Sequence, residues 1–304
     1  MKMDRRQFLA ATVAGVSGLA LAHRAVAAEA AAPPNPFEFV ALGKTGLKVP
    51  RFGFGTGVRG GMRQSNLTRL GKDAAERLLR AAYDRGVRLF DLADSYGTHP
   101  LVAAALKDKP RQDYVLFTKI WIDKDNTLPE PDRPDADVVV DRFRKELNTD
   151  YLDMVLLHCR TKATWPEDNK RQMEILEKLK EKKIIRAHGI SAHSVEALKA
   201  AAESPWCDSV HARINPFGVK MDAAADVVVP ILKLLHERGK GVVGMKLIGE
   251  GTFRNDDAKR TESVKFVMGL GCVDTMIVGF EKADEIDDFA ARVQAAMKAA
   301  KAGA

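Results

Sequence analysis

The sequence predicts an α/β fold, a (β/α)8 barrel of the TIM type spanning residues 37–304, and two observations carry that prediction. Short runs rich in β-branched and aromatic residues alternate with amphipathic helical stretches, the pattern of a parallel sheet joined by crossover helices. Eight such runs occur over about 240 residues, the usual size of a closed barrel. Gly55-Thr56-Gly57-Val58-Arg59-Gly60 does have the Gly-x-Gly-x-x-Gly spacing of a doubly wound open sheet, the competing architecture, but the eight repeats favour the closed barrel.

The elements follow in chain order. A hairpin is predicted at "FEFVALGKTGLKVPR". Strands are then centred on Phe52–Gly55, Val87–Ala93, Tyr114–Trp121, Leu152–His158, Ile185–Ser191, Ser209–Asn215, Gly241–Leu247 and Thr275–Phe280. Between them "DAAERLLRAAYDRG", "DADVVVDRFRKELN", "EDNKRQMEILEKLKEKK", "SVEALKAAAES" and "VVVPILKLLHERG" read as helices. Several open on Asp, Glu or Ser and close near Gly or Asn, the residues that satisfy free backbone groups at helix ends.

Ahead of the barrel, residues 1–27 have a signal-peptide layout: Arg5 and Arg6, an apolar stretch from Leu9 to Ala22, and small residues at Ala25-Val26-Ala27. The apolar stretch falls short of the roughly 20 residues a membrane helix needs, so no stable membrane anchor is expected. The run Asp4-Arg5-Arg6-Gln7-Phe8-Leu9 resembles the bacterial twin-arginine export motif. That resemblance implies the twin-arginine export machinery as a partner, cleavage after Ala27, and a periplasmic or otherwise exported protein. Residues 28–36, rich in Ala and Pro, are expected to be a flexible lead-in with nothing to pack.

Composition narrows the function classes. With 46% hydrophobic and 29% charged residues the chain is ordinary globular protein with ample material for one core. The formal charge of +7 overstates its basicity, because residues 1–27 hold four cations and one anion and their removal leaves about +4. The remaining cations are interspersed with acids and form no basic stripe with aromatics, so no nucleic-acid partner is expected. Cys159, Cys207 and Cys272 are too few and too far apart for a disulfide framework or a zinc knuckle, and are expected to be buried thiols.

In such a barrel the chemistry lies at the C-terminal ends of the strands. Asp91, Asp94 and Tyr96 follow the second strand, Lys119 sits in the third, His158 closes the fourth and Ser191 the fifth. A charged Lys119 within "YVLFTKIW" requires a buried carboxylate, and Asp91 on the adjacent strand is the natural one; the pair alone is equally consistent with an ion pair bracing the barrel. Tyr96 and His158 add function. A phenol beside an ammonium is expected to have a lowered pKa suited to proton exchange with a carbonyl oxygen, and an imidazole can donate a hydrogen bond to that oxygen.

The sequence resembles the aldo-keto reductase family in "VPRFGFGTG", "GVRLFDLADSYG", "VLFTKIW", "YLDMVLLH", "GISAHS" and "MIVGF", over residues 39–295. The resemblance implies a catalytic tetrad of Asp91, Tyr96, Lys119 and His158. It assigns Tyr96 as proton donor, Lys119 held by Asp91 as the group tuning the phenol, and His158 as the group orienting the carbonyl of a small carbonyl or alcohol substrate. A nicotinamide cofactor would deliver the hydride. Asp94 has no role in that scheme and is expected to be a solvated loop carboxylate. His188 is expected to be structural, and either it or His193 could line the pocket.

Cofactor residues fit less closely. Ser191 is retained where the family holds the nicotinamide amide, but Ala192 replaces Asn. His211 stands at the sixth-strand glutamine position and Met245 where an aromatic would stack on the nicotinamide. Lys246 reaches the pyrophosphate or pairs with another acid, and Gly249 and Gly251 would let backbone N–H groups approach phosphate. Gly279 and Glu285 occupy the positions of the basic residues that grip a 2′-phosphate. Glu285 would repel phosphate but accept a hydrogen bond from a free ribose 2′-hydroxyl, while Lys282 is the nearby cation that could restore NADP binding. The cofactor is therefore NADP or NAD. An exported reductase has no obvious pool of reduced nicotinamide, so tight retention and recycling between two substrates is expected. The C-terminal "ARVQAAMKAAKAGA" holds no cysteine cluster for an iron-sulfur centre.

Two other readings stay open: a cofactor-bound barrel acting as sensor or interaction subunit, and a lyase or aldolase using Lys119 or Lys246 as a Schiff-base amine. Substrate identity depends on the loops at Gly57–Leu70 and Trp121–Pro134. Trp121, Trp165 and Phe217 are candidates for apolar walls or core.

Overall fold

The structure, a computed structural model, describes residues 33–123, 128 and 134–302. The proposed signal segment, its cleavage site and part of the Trp121–Pro134 loop lie outside these residues. Eight parallel strands close into a barrel: β3 (Phe52–Gly55), β4 (Leu89–Asp91), β5 (Val115–Ile120), β6 (Leu152–Arg160), β7 (Ile185–Ala192), β8 (Ser209–Arg213), β9 (Gly241–Met245) and β10 (Thr275–Val278). Pairing of Met276 with Phe52 joins the last strand to the first. All eight predicted strands are present. So is the hairpin, as β1 (Phe39–Ala41) and β2 (Lys48–Pro50), paired antiparallel. The helices are α1 (Asn66–Arg69), α2 (Lys72–Asp84), α3 (His99–Leu106), α4 (Ala136–Leu147), α5 (Trp165–Asp168), α6 (Lys170–Glu181), α7 (Val195–Glu203), α8 (Ala225–Glu237), α9 (Asp257–Gly269) and α10 (Ala283–Ala302). Among the described residues, no helix is long and apolar enough to cross a membrane.

Strand alternation divides the core in two. Leu116 and Ile120 of β5 face the helices, whereas Val115 and Phe117 point into the barrel with Leu89, Met154, Leu156, Val243 and Ile277. The period of two then carries Lys119 inward above Phe117, and does the same for Asp91 above Leu89 and His158 above Leu156. The hairpin contributes Leu42, Leu47 and Val49 to this inner cluster and closes the N-terminal mouth, where Lys44 N–H bonds the Gly239 carbonyl at 2.7 Å. Only the C-terminal mouth is left for chemistry.

Two expectations change. The lead-in does pack at its end, since Pro34 is buried and its carbonyl accepts from Gln294 Nε2 on α10 at 3.0 Å. Cys207 and Cys272 are buried thiols, and Cys159 is mostly but not fully buried beside the site.

Candidate active site

Lys119 Nζ donates to both oxygens of Asp91, at 2.6 and 2.7 Å, and to the Leu92 carbonyl at 2.9 Å. All three donors of the ammonium are thus used inside the barrel, which is what a buried charge requires. Burial pushes the Asp91 carboxyl up, but the Lys119 charge and a hydrogen bond from His211 outweigh it and hold the group below its ordinary value. Burial pushes Lys119 down, opposed by Asp91. With contacts this short, the pair is ionised. The ammonium also sits 5.2 Å from the centre of the Tyr96 ring.

Tyr96 Oη and His158 Nε2 lie 3.2 Å apart. Burial drives the imidazole pKa well below its ordinary value, with the Lys119 charge adding to it, so His158 is neutral. Its Nδ1 is buried without a partner. An orphaned acceptor costs less than an orphaned donor, so we assign the proton to Nε2, where it faces the phenol oxygen and leaves the phenol O–H free to point elsewhere. The phenol itself departs from expectation. Burial, reinforced by the Asp91 charge, pushes the Tyr96 pKa well above its ordinary value rather than below it. The Lys119 charge is matched by Asp91 at contact distance, so little of it is left to stabilise a phenolate.

Local structure fixes both groups. Tyr96 ends a 3-10 turn (Asp94–Tyr96) closed by Gly97 at φ 67°. Asp94, expected in solvent, is buried: Arg142 of α4 grips its two oxygens at 2.9 and 2.6 Å, and Arg63 Nη2 lies 3.3 Å from Oδ1. This carboxylate ties the Tyr96 turn to α4. On the other side, a Cβ at Gly57 or Gly60 would overlap the Tyr96 ring, so both glycines are required for the loop to cover it. His158 precedes a register shift in β6, and Cys159 at that irregularity has φ 56°, a strained value for a residue with a Cβ. Ser191 Oγ accepts the Cys159 N–H at 2.8 Å and holds the bulge. Burial raises the Cys159 thiol to about 11, so it carries no thiolate at neutral pH.

From Tyr96 a cleft of about 750 Å³ runs over the ends of β3, β9 and β10 to the first turn of α10. Its wall includes Met245, Lys246, Gly251, Gly279 and Glu285. That size and elongation suit a dinucleotide.

The aldo/keto reductase family model matches residues 51–267, well over half of the chain. The chain belongs to the aldo/keto reductase family. Its members include the aldo-keto reductase YhdN of Bacillus subtilis, 28% identical over 73% of this chain and 68% of its own length. A D-threo-aldose 1-dehydrogenase from Pseudomonas is 25% identical, over 72% of each chain. Among solved structures, the holo form of an aldo-keto reductase from Bacillus halodurans superposes with a TM-score of 0.67 at 21% identity, covering 84% of this chain and 91% of that one, a likeness of fold.

In this aldo/keto reductase barrel the four tetrad residues converge, but several cofactor candidates do not reach the cleft. Ser191 is buried with its oxygen turned to Cys159, and Gly249 is buried and absent from the cleft wall, which Gly251 lines. His211 is fully buried and bonds Asp91 Oδ1 at 3.1 Å, because the parity of β8 sends it into the barrel. Lys282 is exposed outside the cleft, with only its backbone N–H directed to Glu285. Lys246 lines the cleft paired with Glu250 Oε1 at 2.8 Å. His188 is structural, stacked 4.2 Å from Trp206 and bonded to Glu177. His193 lies beside Cys159, its ring centre 6.4 Å from that of His158. Trp165 is core, Phe217 packs on Phe253, and Trp121 sits edge-on to His158 at 5.1 Å. Sequence reading missed four cations on the cleft wall: Arg59, Lys220, Arg254 and Arg260. Each sits in a loop or early helix turn with no hydrophobic pattern to mark it, and only the fold gathers them.

Proposed function

We propose that this chain is a nicotinamide-dependent oxidoreductase that moves hydride between cofactor and a small carbonyl or alcohol substrate, with Tyr96 as proton donor. The observation that supports it most is the placement of the Tyr96–His158 pair, 3.2 Å apart, at one end of the long cleft. The residues fit a dinucleotide: Met245 offers an apolar face near the tetrad, and Arg59 and Lys220 line the same cleft as candidates to hold phosphates. When bound, the nicotinamide supplies or takes up the hydride.

The chain's own part is positioning and proton transfer. A carbonyl oxygen placed between Tyr96 Oη and His158 Nε2 receives a hydrogen bond from each. As the carbon gains hydride, the oxygen becomes basic and takes the Tyr96 proton. Lys119, 5.2 Å from the ring centre and held there by Asp91, lends the phenolate left behind only the charge that Asp91 does not already match. The reverse sequence oxidises an alcohol.

The buried Ser191 and the inward-turned His211 favour a second reading, a barrel that binds cofactor and senses or recruits rather than turns over. The test is to purify the protein from the export compartment, identify any retained dinucleotide, and follow absorbance at the nicotinamide band with a panel of aldehydes and ketones. Turnover supports the reductase. Binding without turnover supports the sensor, and failure to bind either dinucleotide at millimolar concentration removes both. Export itself belongs to the proposal: Arg5 and Arg6 support a twin-arginine signal, so Arg5→Lys/Arg6→Lys should keep the chain in the cytoplasm, and unchanged export would count against it.

A further inference from the structure

We propose that the outer end of the cleft selects NAD(H) and rejects NADP(H), through the carboxylates of Glu281 and Glu285. The inference rests on the hydride-transfer reading, which seats the nicotinamide at Tyr96 and so sends the adenosine toward α10.

Two guanidiniums face that outer end, and both are committed. Arg254 Nη1 and Nη2 each lie 3.0 Å from Glu281 Oε2, and Nη2 lies 2.9 Å from Glu285 Oε1. Arg260 contacts Asp288 Oδ2 at 2.8 Å and Asp257 Oδ1 at 3.4 Å. Glu285 cannot swing aside cheaply, because its second oxygen accepts the backbone N–H groups of Glu281 and Lys282 at 2.7 and 3.2 Å. Glu281 is likewise braced, with Oε1 accepting from Asn66 Nδ2 at 2.8 Å.

The charge balance follows. Among the described residues, the carboxylates of Glu281, Glu285 and Asp288 line this part of the cleft against the guanidiniums of Arg254 and Arg260. A 2′-phosphate, carrying nearly two negative charges, would enter where lining carboxylates outnumber lining guanidiniums by one, Asp288 being held from behind by Arg292 as well. Turning Arg254 toward the phosphate would strip the cation from two carboxylates that remain beside it. A free 2′-hydroxyl meets no such penalty: it donates to a carboxylate oxygen, and the ion pairs stay as they are.

The test is calorimetric titration of the full chain with NADH and with NADPH, in the absence of carbonyl substrate. NADH should bind at least about tenfold more tightly. In Glu281→Gln/Glu285→Gln, each amide keeps an oxygen for its hydrogen bonds while Arg254 is released. The ratio of NADPH to NADH affinity should then rise at least about tenfold. A single Glu285→Gln, moving the ratio in the same direction, serves if the double variant does not fold. Equal or tighter NADPH binding by the wild type, or a ratio unmoved by the substitutions, overturns the selectivity while leaving hydride transfer intact. Binding of neither dinucleotide overturns the hydride-transfer reading, and the selectivity with it.

Discussion

His211 Nε2 donates to Asp91 Oδ1 across 3.1 Å, on the same carboxylate that Lys119 grips with its ammonium. An ionised carboxylate only accepts, so the imidazole proton is on Nε2, and Nδ1 is left as a buried lone pair without a partner. Burial depresses the imidazole pKa despite the bond to Asp91, which keeps His211 neutral. A sixth-strand position that the family resemblance gave to the cofactor therefore braces the counter-ion of Lys119.

Tyr96→Phe removes the proposed proton donor and leaves the ring in its glycine-lined seat. Carbonyl reduction should fall by about 10²–10⁴-fold in kcat, with dinucleotide affinity unchanged. A variant that retains most of its turnover would assign the proton to another group.

Lys119→Met leaves Asp91 as a buried carboxylate that only His211 still contacts. Breaking one side of such a pair costs about 3–5 kcal/mol, whereas removing both sides can be nearly neutral. Urea denaturation should show the single variant strongly destabilised and Lys119→Met/Asp91→Leu restored toward wild type, both being inactive. Equal destabilisation in the two would show that the pair is not the source of the loss.

Acid should weaken the fold from near pH 6.5 downward. Burial, aided by Arg213 and Lys246, lowers the His193 pKa to about 3, so between pH 6.5 and that value the unfolded chain binds a proton that the folded one does not. Stability is then full above about 6.5 and declines as pH falls, by up to ~1.4 kcal/mol per pH unit for such a group. His158 and His211 act in the same direction. Thermal melts from pH 7.5 to 4.5 should show Tm falling below pH 6.5, less steeply in His193→Gln. A flat profile, or an unchanged slope in the variant, would contradict this.

Gly57→Ala places a methyl inside the Tyr96 ring. Overpacking of this kind costs about 1–3 kcal/mol, and a displacement near 1 Å at the reacting group can cost about 10²-fold in rate. Kinetics and melts on one preparation should therefore show activity lost out of proportion to stability. Wild-type kcat would mean that the ring does not need this seat.

The barrel was legible because its strands announce themselves twice, as β-rich runs and as the gaps between amphipathic helices. The four candidate residues came from the family resemblance; burial cost alone marked only Lys119 and a carboxylate partner, a pair equally consistent with an ion pair bracing the barrel. His188 could not be placed from sequence until the parity of β7 was fixed. Asp94 was misread for want of its partner, since Arg142 lies 48 residues away on a helix whose surface otherwise reads as solvated.

The sequence by itself determined the closed barrel, the residue types at its C-terminal mouth and the need of Lys119 for a buried carboxylate partner. These follow from local periodicity and from the expense of burying charge. Only the tertiary structure decided which partner each polar group found: Arg142 for Asp94, Asp91 for His211, Cys159 for Ser191, Glu281 and Glu285 for Arg254. Pairing across the barrel depends on strand parity and on the relative height of loops distant in sequence, and no local pattern encodes either. The sign of the Tyr96 pKa belongs to the same class, because it is set by burial and by an ammonium already neutralised, both of which exist only once the chain is folded.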